Sequence, residues 1–177
     1  MHHALKPHPA IPCTTVRSLS VEARRDQAGL LHLHYRLDGE IESLLIPGRD
    51  GPARTDNLWH HTCFEVFIAP GTSPAYREFN LAPSTRWAAY RFTGFREGMA
   101  NLDQPHPPVI AFIRRPDHVE LQATMSPYLS ATETWRLAVT TVVEEMSGTK
   151  SFWSLHHPAE RPEFHHPGGF VLTLPAP

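Results

Sequence analysis

A chain of 177 residues has the length of one ordinary domain and can bury a full hydrophobic core. Its 41% hydrophobic and 19% charged content is that of a globular protein, and a net charge of −2 gives no broad basic field for nucleic acid or an anionic membrane. The 18 prolines, about twice the usual share, interrupt helices and central strands alike, so they favour many short strands joined by loops.

Residues 1–15 read as an irregular arm, with no apolar stretch of signal-peptide length in MHHALKPHPAIPC. No run approaches the length of a membrane span, and a cytoplasmic location is the expectation. Cys13 and Cys63 fit no metal or redox spacing and read as free thiols. From residue 16 the chain reads as one domain, 16–177, without an internal repeat or linker. Val16–Arg25 alternates as a first strand. Leu31, Leu33, Tyr35 and Leu37 alternate with polar neighbours as a second, and the Asp38-Gly39 turn leads to a third over Ile41–Ile46. Pro47–Asp56 is a polar loop on a rim.

The centre of the chain is a meander. Leu58–Ala69, Ala75–Leu81 and Arg86–Thr93 each alternate with period two, and the breaks at 70–74 and 83–85 are turn chemistry. A Pro-rich loop, Gly94–Pro108, precedes a hairpin of Val109–Arg115 and His118–Met125. Ser126-Pro127 predicts one short helical turn through Ala131, since Ser caps a helix and Pro suits its first position. Trp135–Glu145, Lys150–Leu155 and Phe170–Leu174 close the count at about eleven strands. The expected fold is all-β, an antiparallel β-sandwich, with a barrel as rival.

LWHHTCFEVFIAP, YREFN, PSTRWAAYRFTGFREGM and WSLHHPAERPEFHHPGGF resemble the DOMON-like β-sandwich proteins, relatives of the family 9 carbohydrate-binding modules. The likeness runs from the second strand to Leu174. It implies a jelly-roll-like sandwich whose concave sheet holds a sugar, or a haem in cytochrome-type members.

Strands pleat with period two, so one face of the meander can gather Glu65, Glu78, Asn80 and Arg91, with Trp87 at its edge. Trp59 or Trp153 can stand on the opposite rim. Carboxylates and amides beside an Arg, bordered by Trp, suit a neutral polyol, whose hydroxyls each need a donor and an acceptor and whose ring stacks on an aromatic. The plainer account of the same residues is a set of cross-strand ion pairs on a solvated sheet face. The His156-His157 and His165-His166 doublets could ligate a metal but lack partners at a recognised spacing, and no metal is expected. No cofactor is expected either, although Met99, Met125 and Met146 could supply a haem axial ligand. No catalytic signature is present beyond the bare pair of Glu65 and Glu78. The favoured reading is a non-catalytic domain for a sugar-like small molecule. A protein-interaction domain comes second, and an undetected hydrolase or haem- or metal-binding domain third.

Overall fold

The computed structural model describes residues 2–177. Twelve strands are found among them: β1 His2–Pro7, β2 Val16–Arg25, β3 Leu31–Gly39, β4 Cys63–Pro70, β5 Tyr76–Leu81, β6 Trp87–Phe92, β7 Ala100–Asn101, β8 Val109–Arg114, β9 His118–Met125, β10 Trp135–Glu144, β11 Lys150–Ser154 and β12 Leu172–Leu174. All their pairings are antiparallel. They form a β-sandwich. One sheet runs β1-β2-β3-β9-β8 and the other β7-β6-β5-β4-β10-β11, with β12 alongside the start of β10.

β1 joins the two sheets. Its first residues, His2–Leu5, pair with β2, and its last, Lys6 and Pro7, pair with β11. Of the segment expected as an irregular arm, residues 1–15, His2–Pro7 is instead a strand that joins the sheets, residues 8–15 form no strand, and Met1 lies outside the described residues.

The core lies between the sheets, where alternation puts it. Leu31, Leu33, Tyr35 and Leu37 of β3, with Val119, Leu121, Ala123 and Met125 of β9, are at most 3% exposed. They belong to one cluster with Phe64, Val66 and Ile68 of β4, Phe79 and Leu81 of β5, and Leu137, Val139 and Val143 of β10. Each buried Val, Leu, Ile, Phe or Met among them contributes roughly 1.5–3 kcal/mol by leaving water. Tyr35 ties the layers together: its ring lies 5.0 Å from that of Phe64, and its hydroxyl donates to the Glu65 carbonyl at 2.8 Å. Met125 is core packing, 2% exposed.

Three expectations are corrected here. Ile41–Ile46 is no strand: Ile41–Ser43 is a single 3-10 turn, and Leu44 makes one isolated bridge to Glu145. The chain leaves the sheet at Gly39, whose backbone packs so closely on the Thr15 carbonyl that a Cβ would have no room. The helical turn expected over Ser126–Ala131 is absent, because Tyr128 takes a left-handed φ of 52° and breaks helical progression. The short helical pieces fall instead at Leu58–His60 and Pro167–Gly169, besides Ile41–Ser43. The Pro-rich loop also contains β7, a two-residue edge strand on β6.

Candidate ligand-binding site

β4 is buried on both faces. Phe64, Val66 and Ile68 enter the core, while Cys63, Glu65 and Phe67 point to the other, concave side. Register fixes their neighbours there. Glu65 stands opposite Asn80 on β5 and Thr140 on β10, and Phe67 opposite Glu78 and Ala138. Glu78 in turn stands opposite Tyr90 on β6, and Tyr76 opposite Phe92.

That register settles which face of β6 joins the site, and it differs from the expectation. Trp87 pairs with Leu81 and Arg91 with Arg77, so both lie on the other face of the sheet. Trp87 is 5% exposed within the core cluster, whereas Arg91 is exposed. Trp153 also belongs to the core, donating from Nε1 to Ser151 Oγ at 2.9 Å. Trp59 does reach the concave side. The 3-10 turn Leu58–His60, entered through Asn57 at φ 65°, sets its ring edge-on to Tyr90 at 6.0 Å. Of the seven residues singled out, the structure thus gathers Glu65, Glu78, Asn80 and Trp59, and separates Trp87, Arg91 and Trp153 from them.

Glu65, Glu78 and Trp59 open onto a cavity of about 290 Å³, with Asn80 buried beside Glu78. Glu65 and Glu78 form its floor; Trp59, Phe92, Phe152 and Phe164 wall it; Arg96 and His165 stand at its mouth. The volume suits one small ring. Aromatic walls on polar floor groups are legible in the sequence only in part. Alternation puts Tyr90 and Phe92 on one face of β6, but Phe152, Phe164, Arg96 and His165 arrive from loops and a neighbouring strand.

The floor is unusually short of hydrogen-bond donors. Glu65 is 2% exposed; one of its carboxyl oxygens accepts from Thr140 Oγ1 at 3.2 Å, and the other has no protein partner. Asn80 donates from Nδ2 to Glu78 at 2.8 Å, while its own buried Oδ1 has no partner. Burial, followed by the charge of Glu78, pushes the Glu65 carboxyl well above the usual carboxylate range. Burial pushes Glu78 up to about 7, against the opposing pull of the Asn80 hydrogen bond and Arg96. Buried acceptors without donors are costly, so an unpartnered Glu65 oxygen on a cavity floor calls for a reason.

The mouth is held by a polar strap. Arg96 binds Glu163 through two nitrogens, both at 2.9 Å, a fork that joins the β6–β7 loop to the loop before Pro167. The Arg96 backbone N–H donates to the Tyr76 hydroxyl at 3.3 Å, and that hydroxyl lies 2.8 Å from His165 Nδ1. With its oxygen already accepting, Tyr76 is set to donate to Nδ1, which leaves the proton of a neutral imidazole on Nε2. Burial, then the Arg96 charge, lowers His165 to about 4, so the ring is neutral near pH 7. Its Nε2 lies 3.9 Å from Glu78 Oε2, beyond hydrogen-bond reach.

Of the other members of these two histidine doublets, His157 and His166 have structural partners. His157 Nε2 lies 2.8 Å from the Lys6 carbonyl and its ring is edge-on to His8 at 4.8 Å. His166 Nδ1 accepts from the Gly168 N–H and caps the 3-10 turn, and His156 is exposed. Among the described residues no three His, Cys, Asp or Glu side chains are grouped as metal ligands would be.

No protein-family model matches the chain, and no curated protein matches it in sequence. Solved structures do match in fold. A protein of Bacteroides uniformis ATCC 8492, described provisionally as carbohydrate-binding, superposes with a TM-score of 0.68 at 18% identity, over 98% of this chain and 85% of that one. A family 9 carbohydrate-binding module from Caldicellulosiruptor kristjanssonii, solved with cellotriose, gives 0.61 at 7% identity over 99% and 81%. The module of that family and organism solved with glucose gives 0.56 at 7% identity over 97% and 83%. At these identities the likeness is one of fold: this chain is a β-sandwich built as the family 9 carbohydrate-binding modules are.

Proposed function

We propose that the protein is a non-catalytic binding domain for a carbohydrate or similar polyhydroxylated small molecule, held in the cavity over β4, β5 and β10. The observation that carries this reading is the buried Glu65 carboxyl, whose Oε1 has no protein partner, lining an aromatic-walled cavity beside Glu78. A hydroxyl-rich ring brings the donors the floor lacks, and its CH faces lie well on Trp59 and Phe92. The fold likeness to modules solved with glucose and cellotriose supports the same reading, and a kinship with DOMON-like domains is its finer form.

The test is calorimetric titration against mono- and disaccharides, with Trp59→Ala and Glu78→Ala run beside the parent protein after their folds are checked. Aromatic stacking contributes on the order of 1 kcal/mol and each hydrogen bond to a charged group about 1.5–3, before the entropic cost of binding. Modest affinity that both substitutions weaken is the expected result. Binding unaffected by either places the ligand elsewhere, and a well-folded protein that binds no sugar leaves the fold to an interaction domain.

A further inference from the structure

The floor and walls of this cavity are matched to a charge. Two carboxyl groups, Glu65 and Glu78, open into it, and among the described residues that line it no Lys or Arg is unengaged. Arg96 is the one Lys or Arg among the lining residues, and its guanidinium is engaged by both oxygens of Glu163. Lys150, the one lysine ion pair among the described residues, lies with Glu144. His165 is neutral near pH 7 and 3.9 Å away. Above the carboxyls stand Trp59, Phe92, Phe152 and Phe164, whose negative ring faces attract a cation.

Resting on the binding reading above, we propose that the preferred ligand carries a protonated primary amine, as an amino sugar does, and seats it between Glu65 and Glu78. An ammonium supplies three donors and no acceptor. That complements a floor on which Glu65 Oε1 and Glu78 Oε2 have no hydrogen bond from the protein, Oε2 having only the distant His165. A neutral hydroxyl supplies one donor together with lone pairs that face carboxyl oxygens. The amine also compensates the buried charge of Glu78, which otherwise stands without a counter-ion in direct contact.

The proton balance follows. Glu78 is faced by Glu65 from β4, Tyr90 from β6, Arg96 from the β6–β7 loop, His165 from the closing loop, and Asn80 and Tyr76 on its own strand. With its carboxyl pushed up to about 7, it is largely protonated at pH 6. Seating an ammonium there favours the carboxylate, so Glu78 gives its proton to solvent on binding.

The experiment is calorimetry of the intact chain with glucose, glucosamine (2-amino), 6-amino-6-deoxyglucose and N-acetylglucosamine. It is run at pH 6 and 7 in buffers of different ionisation enthalpy. At pH 7 one of the two amines should bind about tenfold or more tighter than glucose, the step between a neutral and a charge-assisted hydrogen bond. N-acetylation should abolish the gain. At pH 6 the heat should vary with the buffer, reporting proton release, for the amine and not for glucose. Glu78→Gln should cost the amine more affinity than it costs glucose, removing the amine's advantage. Glucose binding as tightly as both amines overturns the amine preference and leaves the carbohydrate reading standing. No binding by any of the four overturns both.

Discussion

Two sheet faces of this protein carry carboxylates, and they solve the problem of charge differently. On the outer face of β3 and β9, Arg36 bridges Asp38 at 2.8 Å and Glu120 at 2.9 Å, and His34 lies 3.1 Å from Glu120. These side chains are 19–38% exposed, and each charge has a partner. Partial burial works against the Glu120 charge, but His34 and Arg36 outweigh it and hold the carboxyl below its usual range. On the concave face of β4 and β5, Glu65 and Glu78 are 2% and 5% exposed, lack a cation in contact, and are pushed upward. The cross-strand ion pairs anticipated for the meander do exist in this fold, on the other sheet. The β3–β9 face pairs its charges, whereas Glu65 and Glu78 stand without a cation in contact; Glu144, farther along the same face of β10, is paired with His61 and Lys150.

The contrast can be broken by substitution, and the largest effect should come from the residue on the wrong side of the sheet. Trp87→Ala empties a core position and should cost about 3–5 kcal/mol of stability by urea unfolding. A mild loss together with lost sugar binding would put Trp87 in the site rather than the core.

Glu78→Gln should act in the opposite direction. Raising a carboxyl from 4.5 to about 7 means the folded state binds its proton more tightly than the unfolded chain does. Stability is then full at low pH and declines as pH rises from about 4.5 through 7, by up to about 3 kcal/mol for this group. Glu65 extends the decline upward. His165, lowered from 6.5 to about 4, has the opposite sign: its contribution is complete above 6.5 and is lost as pH falls towards 4. Between about pH 6.5 and 8 the carboxyls therefore dominate, and the melting temperature should fall as pH rises. Glu78→Gln should flatten that fall and stabilise the protein at pH 8; a variant less stable than the parent at pH 8 would show a satisfied carboxylate instead.

Trp59→Ala should weaken sugar binding by roughly tenfold, the worth of about 1–1.5 kcal/mol of ring contact, with a smaller effect on stability than Trp87→Ala. The smallest effect belongs to the paired face. Arg36→Ala removes exposed ion pairs and should cost at most about 1 kcal/mol, falling further in high salt. A loss of several kcal/mol there would erase the distinction between the two faces.

The all-β, antiparallel character of the fold is legible in the sequence alone, with the sandwich favoured over a barrel. Alternation in β2, β3, β9 and β10 is a local property of the backbone, and it reads correctly because one side of each strand meets the core and the other does not. It also placed Glu65 on one face of β4 and Glu78 with Asn80 on one face of β5. Tertiary structure decided how those faces combine. Alternation fixes parity within a strand, whereas parity between strands depends on the residues spent in the turn. At Ala82–Arg86, with Thr85 at φ 73°, the turn brings Tyr90 rather than Arg91 opposite Glu78. Long-range pairing likewise made a strand of His2–Pro7, whose hydrogen bonds go to β2 and β11 and leave no trace in its own pattern. Whether a carboxyl is exposed and paired or buried and open is the last thing decided. It depends on which loops cover the face, and the two that bring Trp59 and His165 over Glu78 lie about 20 residues before it and nearly 90 after it along the chain.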